Sequence, residues 1–233
     1  MKLCILDNDF LDPAVAATYI GYGVMFERLL RQAGADGTFD IFNTVRGEYP
    51  ASFAPYDAVL LTGSKADAFS QEPWVLTLKD KVQALLEAKK KLVGVCFGHQ
   101  LIALCLGAKV GRAPQGWGAG RMRYQWRAPD LPQAQGREEV ALLASHQDQV
   151  FELPKGATLL ASSDFCPVAA FAVDDHVFCV QPHPEFVEDY SAFLLNKRRA
   201  MFGEEKYQAF TRSLAEGHDG QAVARMMVAF INQ

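Results

Sequence analysis

The sequence lacks any long apolar run: no stretch of its 233 residues approaches the roughly 18 apolar residues that a membrane-spanning helix needs. Its amino terminus has too short an apolar run for a signal peptide and reaches acidic residues at once. Concentrated positive charge is also missing, because 23 basic residues face 27 acidic ones. The short basic clusters at 89–91 and 197–199 are interpreted as solvated helix ends. These absences predict a cytoplasmic protein that binds neither nucleic acid nor a membrane.

Paired cysteines are missing, because the five cysteines are odd in number and scattered through mostly hydrophobic surroundings. The sequence contains no Cys-x-x-Cys pair and no His/Cys cluster, which argues against a zinc site. We therefore expect reduced thiols and neither a metal nor a cofactor. Internal repeats, low-complexity segments and long linkers are missing too, so we expect a single domain over residues 1–233.

Apolar strand patterns alternate with helical patterns over the first half of the chain. In order, the pattern predicts a strand at 2–6, a helix at 13–33 that glycines at 21 and 23 can divide, strands at 39–45 and 56–61, a helix at 75–89, and a strand followed by a helix within 91–108. Such alternation is typical of a parallel sheet that helices cover on both faces.

The pattern changes after Gly107. Short strand-like runs follow at 109–112, 121–126, 139–143, 158–161, 171–173 and 177–180, separated by turns such as 113–120 and 128–136. From residue 188 onward the chain reads as helical, with a break at 217–220. The sequence thus predicts an α/β protein with a mainly parallel central sheet flanked by helices, a smaller antiparallel portion and a helical C-terminal tail over 188–233.

Cys96 stands where a predicted strand meets a predicted helix. Gly94 and Gly98 flank it in a G-x-C-x-G pattern, the thiol counterpart of the nucleophile elbow, in which small neighbours permit a sharp turn. At a helix N-terminus, backbone N–H groups and the helix dipole favour thiolate over thiol. The pattern predicts a cysteine nucleophile, although an ordinary buried cysteine beside a tight turn would have the same spacing.

A cysteine nucleophile needs a base, and that base needs a group to orient it. His183 directly follows an apolar strand, and Pro182 and Pro184 restrict the backbone on both sides. Glu185 lies two residues on, so in an extended segment its carboxylate can reach the imidazole. The alternative is a structural turn with an incidental acid.

Three other histidines are not expected to act as the base. His99 lies just after Cys96 on the presumed helix, where we expect it to support the turn. His176 falls in a predicted hairpin turn and His218 near the predicted chain break. Both are expected to be exposed to solvent.

The segments GVCFGHQ at 94–100 and QPHPEF at 181–186 together resemble two signatures of the class I glutamine amidotransferase family, and LLTGS at 60–64 resembles a third. The resemblance covers roughly residues 2–186. It implies a mainly parallel sheet with flanking helices and a triad of Cys96, His183 and Glu185. It also implies that the thiolate attacks the side-chain amide of glutamine, and that the backbone N–H groups of Gly63 and Phe97 bind the oxyanion. A plain turn glycine is the alternative for Gly63.

A fourth segment, SHQDQV at 145–150, resembles the stretch beside the bound glutamine in GMP-synthetase-like members of the family. The resemblance implies that Ser145, His146 and Asp148, together with Gln100, help to bind the amino and carboxylate groups of the substrate. A polar network that stabilises a turn is the alternative for these residues.

The sequence does not specify which molecule accepts the ammonia or the glutamyl group. Family members usually deliver ammonia to a synthetase, but this sequence has no Gly-rich phosphate loop and no SGG-type pyrophosphatase signature. The main expectation is hydrolysis of the glutamine side-chain amide through a γ-glutamyl thioester, and the candidate partner is a separate synthetase subunit. The chain also resembles stand-alone GMP-synthetase-like amidotransferases, whose relatives include γ-glutamyl peptidases. The alternatives are therefore a γ-glutamyl peptidase acting on peptides such as glutathione, and a non-catalytic glutamine-binding or regulatory protein.

Overall fold

Residues 1–128 and 136–233 are described by a computed structural model, so the predicted turn at 128–136 lies largely outside the described residues. The strands are β1 (Lys2–Asp7), β2 (Thr38–Asn43), β3 (Ala58–Leu61), β4 (Lys91–Val95), β5 (Val110–Arg112), β6 (Gly118–Trp126), β7 (Glu139–His146), β8 (Asp148–Val150), β9 (Thr158–Ser162), β10 (Ala170–Val173) and β11 (Val177–Val180). The helices are α1 (Pro13–Tyr19), α2 (Tyr22–Gln32), α3 (Pro73–Glu87), α4 (Phe97–Cys105), α5 (Glu188–Lys197), α6 (Arg199–Phe202), α7 (Glu204–Ser213) and α8 (Gly220–Asn232).

One large sheet contains nine of these strands in the order β2-β1-β3-β4-β11-β10-β9-β6-β7. The pairs from β2 to β11 are parallel, and the pairs from β11 to β7 are antiparallel. Strands β5 and β8 form a separate antiparallel pair. The predicted fold class is confirmed: a parallel core, an antiparallel extension and helices around them.

Both faces of the parallel strands are buried. Along β1, Leu3 and Ile5 belong to the core under α2 and α8, whereas Cys4 and Leu6 belong to the core under α3 and α4. Neighbouring residues of a strand point to opposite faces, so two apolar cores require a strand that is apolar at every position. This requirement explains the continuous apolar runs of the sequence.

The predicted helix at 13–33 is two helices, α1 and α2. They separate at Ile20, whose φ is 68°, and at Gly21. A side chain at Gly21 would have its Cβ 2.8 Å from a carboxylate oxygen of Asp7, and Asp7 accepts a hydrogen bond from the amide of Gly23 at 3.0 Å. The glycines therefore let the start of α2 pack directly on the end of β1.

The tail is helical as predicted, and its break coincides with Gly217, whose φ is 69°. Helix α8 buries its apolar residues against the sheet and α2. Helix α5 packs with Phe186 and Leu143 in a third apolar cluster near the ends of the strands. Among the helices of the described residues, none is long and apolar enough to cross a membrane.

The carboxyl ends of four neighbouring parallel strands, β1, β3, β4 and β11, meet at one edge of the sheet. The chain leaves this edge at Asn8, Thr62, Cys96 and Gln181. Ligand sites of open α/β sheets lie outside the carboxyl ends of the strands. The fold therefore predicts a ligand site at this edge of the sheet.

Candidate active site

Cys96 occupies a strained turn between β4 and α4. Its φ of 52° and ψ of −102° are rare for a residue with a side chain. The turn depends on its two glycines, because a Cβ on Gly94 would lie 2.9 Å from the backbone of Gly98, and a Cβ on Gly98 would lie 2.5 Å from the carbonyl oxygen of Leu61. The glycine pattern read from the sequence thus corresponds to close backbone packing around the thiol.

Cys96 is the residue that immediately precedes helix α4. The first bond within the helix runs from the amide of Gln100 to the carbonyl of Cys96 at 3.0 Å. The preceding amides, beginning with Phe97, belong to the first turn, which has no intrahelical acceptor. The Phe97 ring packs into the core and stacks on Trp74, with the ring centres 5.5 Å apart. The ring of Phe97 is therefore part of the core and not of the site.

His183 and Glu185 form a buried pair. Nδ1 of His183 lies 2.7 Å from Oε1 of Glu185, and the side chain of Glu185 is 0% exposed. The ring of Phe186 stacks on the imidazole with its centre 3.9 Å away. The amide of His183 also donates to the carbonyl of Leu143 at 2.8 Å, which ties this segment to β7. The imidazole is therefore held by a carboxylate, a ring and the backbone.

The pKa of His183 is subject to opposing influences. Burial lowers it, but the charge of Glu185 and then the charge and hydrogen bond of Cys96 raise it, to about 10 in balance. The imidazole therefore carries a proton at neutral pH. A cysteine nucleophile is activated when a neighbouring imidazole holds its proton, and His183 is placed and tuned to do so.

Gly63, which follows β3, lies close to both the imidazole and the thiol. A Cβ on Gly63 would lie 2.8 Å from Cε1 of His183 and 3.6 Å from Cβ of Cys96. The loop is fixed by Asn8, which donates its backbone amide to the Thr62 hydroxyl at 2.9 Å and its side-chain amide to the Thr62 carbonyl at 3.0 Å. A side chain at position 63 would therefore clash with the imidazole, so this position requires glycine.

A cavity of about 80 Å³ opens beside Cys96. Its lining includes all four residues that the resemblance assigned to the substrate, namely Gln100, Ser145, His146 and Asp148. Gln100 donates to the carbonyl oxygen of Asp148 at 2.9 Å, and Nδ1 of His146 lies 3.2 Å from the same oxygen. Burial and then the charge of His183 lower the pKa of His146 to about 4, so its ring is neutral. Gln100 and His146 thus hold the backbone of Asp148 in place.

Two acidic side chains share an arginine at the rim of this cavity. Arg112 lies 3.0 Å from Asp67 and 3.0 Å from Asp148. Burial and then Asp67 raise the pKa of Asp148 to about 6, while Arg112 opposes the shift. Sequence reasoning missed Arg112 and Asp67, because neither belongs to a recognisable motif.

Arg198 also lines the cavity, although the basic cluster that contains it was interpreted as a solvated helix end. That interpretation is wrong for Arg198, which donates to the hydroxyl of Ser145 at 2.9 Å and lies over the ring of Trp117 at 4.8 Å. Burial lowers the pKa of this guanidinium. Its neighbours Lys197 and Arg199 are exposed, so the interpretation as a solvated helix end is correct for these two residues.

The remaining histidines are buried to different degrees. His99 is fully buried against Phe171, and its burial lowers its pKa to about 3. The predicted exposure of His176 is wrong, because the turn is so short that His176 already lies beside β4, where its carbonyl accepts from the amide of Leu92 at 2.8 Å. The prediction is also wrong for His218, whose ring is half-buried and accepts from the amide of Gly220 at the start of α8.

All five cysteines are free thiols, as predicted. Within residues 1–128 and 136–233, no three His, Cys, Asp or Glu side chains lie close enough together to hold a metal ion.

Known proteins resemble this chain in sequence and in fold. Residues 23–196 match the family model for glutamine amidotransferase class-I. Gamma-glutamyl peptidase 3 of Arabidopsis thaliana is 37% identical over 193 residues, which cover 79% of this chain and 75% of that protein. A subunit of the glutamine-hydrolyzing GMP synthase of Methanocaldococcus jannaschii is 38% identical over 122 residues, covering 52% of this chain and 64% of that protein. The crystal structure of a glutamine amidotransferase from Thermotoga maritima matches all of this chain and 99% of its own with a TM-score of 0.80, at 16% identity, which is a likeness of fold.

Proposed function

This chain belongs to the class I glutamine amidotransferase family, and from that premise we propose that it hydrolyses γ-glutamyl amide bonds through a thioester on Cys96. One observation carries the proposal: a Cβ built on Gly63 would lie within 3.6 Å of both Cys96 and His183, and His183 lies 2.7 Å from Glu185. A thiol, an imidazole and an orienting carboxylate in this order are what nucleophilic cleavage of an amide requires.

In the first step the sulfur of Cys96 attacks the γ-carbonyl carbon of the substrate. A carbon–sulfur bond forms, the thiol proton resides on His183, and the carbonyl oxygen becomes an oxyanion. The backbone N–H groups of Gly63 and Phe97 bind this oxyanion, because Gly63 follows β3 beside the thiol and Phe97 begins α4. The γ-glutamyl group is then held on the enzyme as a tetrahedral intermediate.

In the second step His183 donates its proton to the leaving nitrogen, and the carbon–nitrogen bond breaks. A water molecule then attacks the thioester while His183 accepts a proton from it, and glutamate leaves as the thiol re-forms. Glu185 is the positioning residue, since it fixes the tautomer of the imidazole through Nδ1 and leaves Nε2 for the proton transfers.

The glutamyl head group is proposed to lie in the cavity beside Cys96. Asp148 supplies a carboxylate for the α-amino group, and Gln100 and His146 position it from behind. Arg198 supplies charge for the α-carboxylate, since only some of its five N–H donors are needed to reach Ser145. This division gives the predicted residues Gln100, Ser145 and His146 supporting roles around the two charged ones.

The bond in a γ-glutamyl peptide is the proposed main target, which reverses the order expected from the sequence. The relatives support this order, because gamma-glutamyl peptidases match about three quarters of this chain, whereas the GMP synthase relative matches about half of it. Glutamine is the second candidate, favoured by the GMP synthase relative, and a separate synthetase would then receive the ammonia. Both substrates pass through the same thioester and differ only in the leaving amine.

A substrate panel with two cysteine variants tests the proposal. Purified protein is assayed for release of glutamate from glutamine, γ-glutamyl dipeptides and glutathione. We expect turnover of the peptides to exceed that of glutamine, to vanish in Cys96→Ala, and to persist in Cys105→Ala. Cys105 is a matched control, because it is a partly exposed free thiol at the far end of α4, the helix that Cys96 precedes.

Three outcomes would change the assignment. Retained activity in Cys96→Ala would contradict the thioester mechanism. A clear preference for glutamine would restore ammonia release as the main function. Binding of glutamine without turnover, and without labelling of Cys96 by a glutamine-analogue electrophile, would favour the non-catalytic alternative.

A further inference from the structure

A second, larger space lies next to the Cys96 cavity, between β6, the loop after β9 and helix α7. We name it the α7 groove; its volume is about 660 Å³. Large apolar side chains form much of its surface, namely Trp117, Met122, Phe165 and Phe210. A groove of this volume can hold a ligand as large as a short peptide, and it is much larger than the ammonia that glutamine would release.

The wall that α7 contributes is firmly held. Gly120 has a φ of 71° and lies so close to α7 that a Cβ there would be 2.9 Å from the carbonyl oxygen of Phe210. The hydroxyl of Ser213 accepts a hydrogen bond from the amide of Arg121 at 2.9 Å. The groove is therefore built by specific contacts between the tail and the sheet.

The groove and the Cys96 cavity are separated by a thin partition. Trp117 lines both spaces. Phe165 of the groove packs against His146 of the cavity, with the ring centres 6.1 Å apart, and a Cβ on Gly118 would lie within 3.0 Å of both rings. A different cavity, of about 300 Å³ beside Glu185, shares no described lining residue with the Cys96 cavity. The α7 groove is thus the natural continuation of the site.

The rim of the groove offers one exposed basic side chain, that of Lys206, to an anionic group. Among the described residues, the lining of the groove contains Arg121, Arg123 and Lys206 and one carboxylate, that of Asp164. The two arginines also pair with acids outside the lining, whereas Lys206 stands exposed on α7 at the rim. Opposite charge at a rim contributes modestly to affinity and more to selectivity.

We propose that the α7 groove binds the leaving part of a γ-glutamyl peptide, with an apolar side chain next to the scissile bond and a free terminal carboxylate near Lys206. The proposal rests on the function proposed above and specifies its substrate class. The Cys96 cavity, at about 80 Å³, is far smaller than the α7 groove, so the glutamyl head is assigned to the cavity and the rest of the peptide to the groove. Helix α7 also lies beyond residue 196, where the match to the family model ends, as expected of a part that selects substrates within a larger family.

The test compares three substrates with two groove variants. The substrates are γ-glutamyl-phenylalanyl-glycine, the same peptide with an amidated carboxyl terminus, and glutamine. Ala209→Trp fills the groove from α7, and Gln208→Trp adds the same ring on the same helix outside the groove lining. We expect Ala209→Trp to lower kcat/KM for the tripeptide at least about tenfold, because the apolar side chain loses its buried site. Glutamine hydrolysis by Ala209→Trp, and every activity of Gln208→Trp, should stay within about twofold of wild type.

Lys206→Gln addresses the terminal carboxylate. The wild-type protein should prefer the free acid to its amide by about threefold to fivefold, and the variant should treat the two alike. Equal loss for acid and amide would overturn the carboxylate contact. Unchanged tripeptide kinetics in Ala209→Trp would overturn the groove as the binding site.

Binding to Cys96→Ala separates this inference from the proposed function. Calorimetry on that background measures affinity for the tripeptide without any turnover. Tripeptide binding that Ala209→Trp abolishes would support the groove even if the wild-type protein proved inactive. Turnover of the tripeptide by wild type with groove-independent binding would retain the proposed function and overturn the groove.

Discussion

At the residue scale, the balance of influences on His183 predicts how activity depends on pH. The pKa of His183 is raised to about 10, so the proton that the leaving amine needs is present below that pH and is lost as the pH rises through it. Glu185 is the largest raising influence on this pKa, whereas burial lowers it. Glu185→Gln removes the raising charge and keeps the burial. We therefore expect the alkaline limb of kcat/KM to move down by about one to three pH units in this variant.

The matched control for this pH profile is Glu188→Gln. Glu188 lies three residues further on and is exposed at the start of α5. Its profile should overlay that of wild type. An unchanged alkaline limb in Glu185→Gln would show that Glu185 does not hold the proton on His183.

Gly63 gives a second prediction at this scale. In Gly63→Ala the new methyl group would lie 2.8 Å from Cε1 of His183, so either the ring or the loop must shift. We expect kcat for γ-glutamyl hydrolysis to fall by about a hundredfold or more, since both the oxyanion donor and the acid are displaced. Thermal unfolding should show that the variant is folded.

Gly111→Ala is the control for Gly63→Ala. Gly111 lies on β5 near the cavity, and a Cβ there meets only the edge of the Phe151 ring, at 3.3 Å, which can move. It should keep most of the activity. Near-normal kcat in Gly63→Ala would contradict the role given to this backbone position.

At the element scale, the β4–α4 junction is the part that could be predicted best from the sequence. Its strand is continuously apolar, its helix has apolar spacing, and its glycines are required by contacts that residue types alone suggest. The neighbouring polar elements could not be predicted so well. Strand β8 was missed because its three residues, Asp148–Val150, have neither length nor alternation, and they are a strand only because β5 pairs with them.

The same contrast holds for the residues around the thiol. His183 and Glu185 are two positions apart, so their contact follows from local geometry alone. Arg112, Trp117 and Arg198 reach the cavity from segments far apart in the chain. Their approach depends on the sheet order and on how α5 packs, and a single sequence carries no local signal of either.

The junction itself yields a stability prediction. Alanine is more favourable than glycine inside a helix by roughly 1 kcal/mol of folding free energy, so Gly98→Ala would be stabilising if space allowed. The added Cβ would instead lie 2.5 Å from the carbonyl oxygen of Leu61, a backbone atom that cannot turn aside. Overpacking costs about 1–3 kcal/mol, and a 2.5 Å approach to a backbone atom places this case near the upper end of that range. After subtraction of the helix gain, we expect a net loss of about 2 kcal/mol in the free energy of unfolding.

Chemical denaturation measures this loss. Gly111→Ala again serves as the comparison, because its methyl group meets a movable ring. A Gly98→Ala variant as stable as wild type would mean that the strand and helix can separate without cost.

At the scale of the whole molecule, the C-terminal tail serves both packing and the site. Helix α8 contributes buried residues to the core beneath α2, α5 leads directly to Arg198 in the cavity, and α7 forms a wall of the groove. Met227 of α8 is 0% exposed, so Met227→Ala should lower the free energy of unfolding by about 2–5 kcal/mol. Arg225→Ala, an exposed change on the same helix, should stay within about 0.5 kcal/mol.

Urea unfolding followed by circular dichroism checks both tail variants. If Met227→Ala unfolds the helical signal of the tail alone and leaves the sheet unaffected, the tail is a separate unit rather than part of the core. A single transition at lower urea for the whole molecule is the result expected from the shared core.

The central claim is that Cys96 carries a γ-glutamyl thioester, and trapping that adduct tests it most directly. Wild-type protein turning over a γ-glutamyl peptide is quenched in acid, and its intact mass and peptide map are measured. We predict a fraction of molecules heavier by one γ-glutamyl group, with the adduct on the peptide that contains Cys96, present in Cys105→Ala and absent from Cys96→Ala. An adduct on any other residue, or steady turnover with the adduct persisting in Cys96→Ala, would contradict the account.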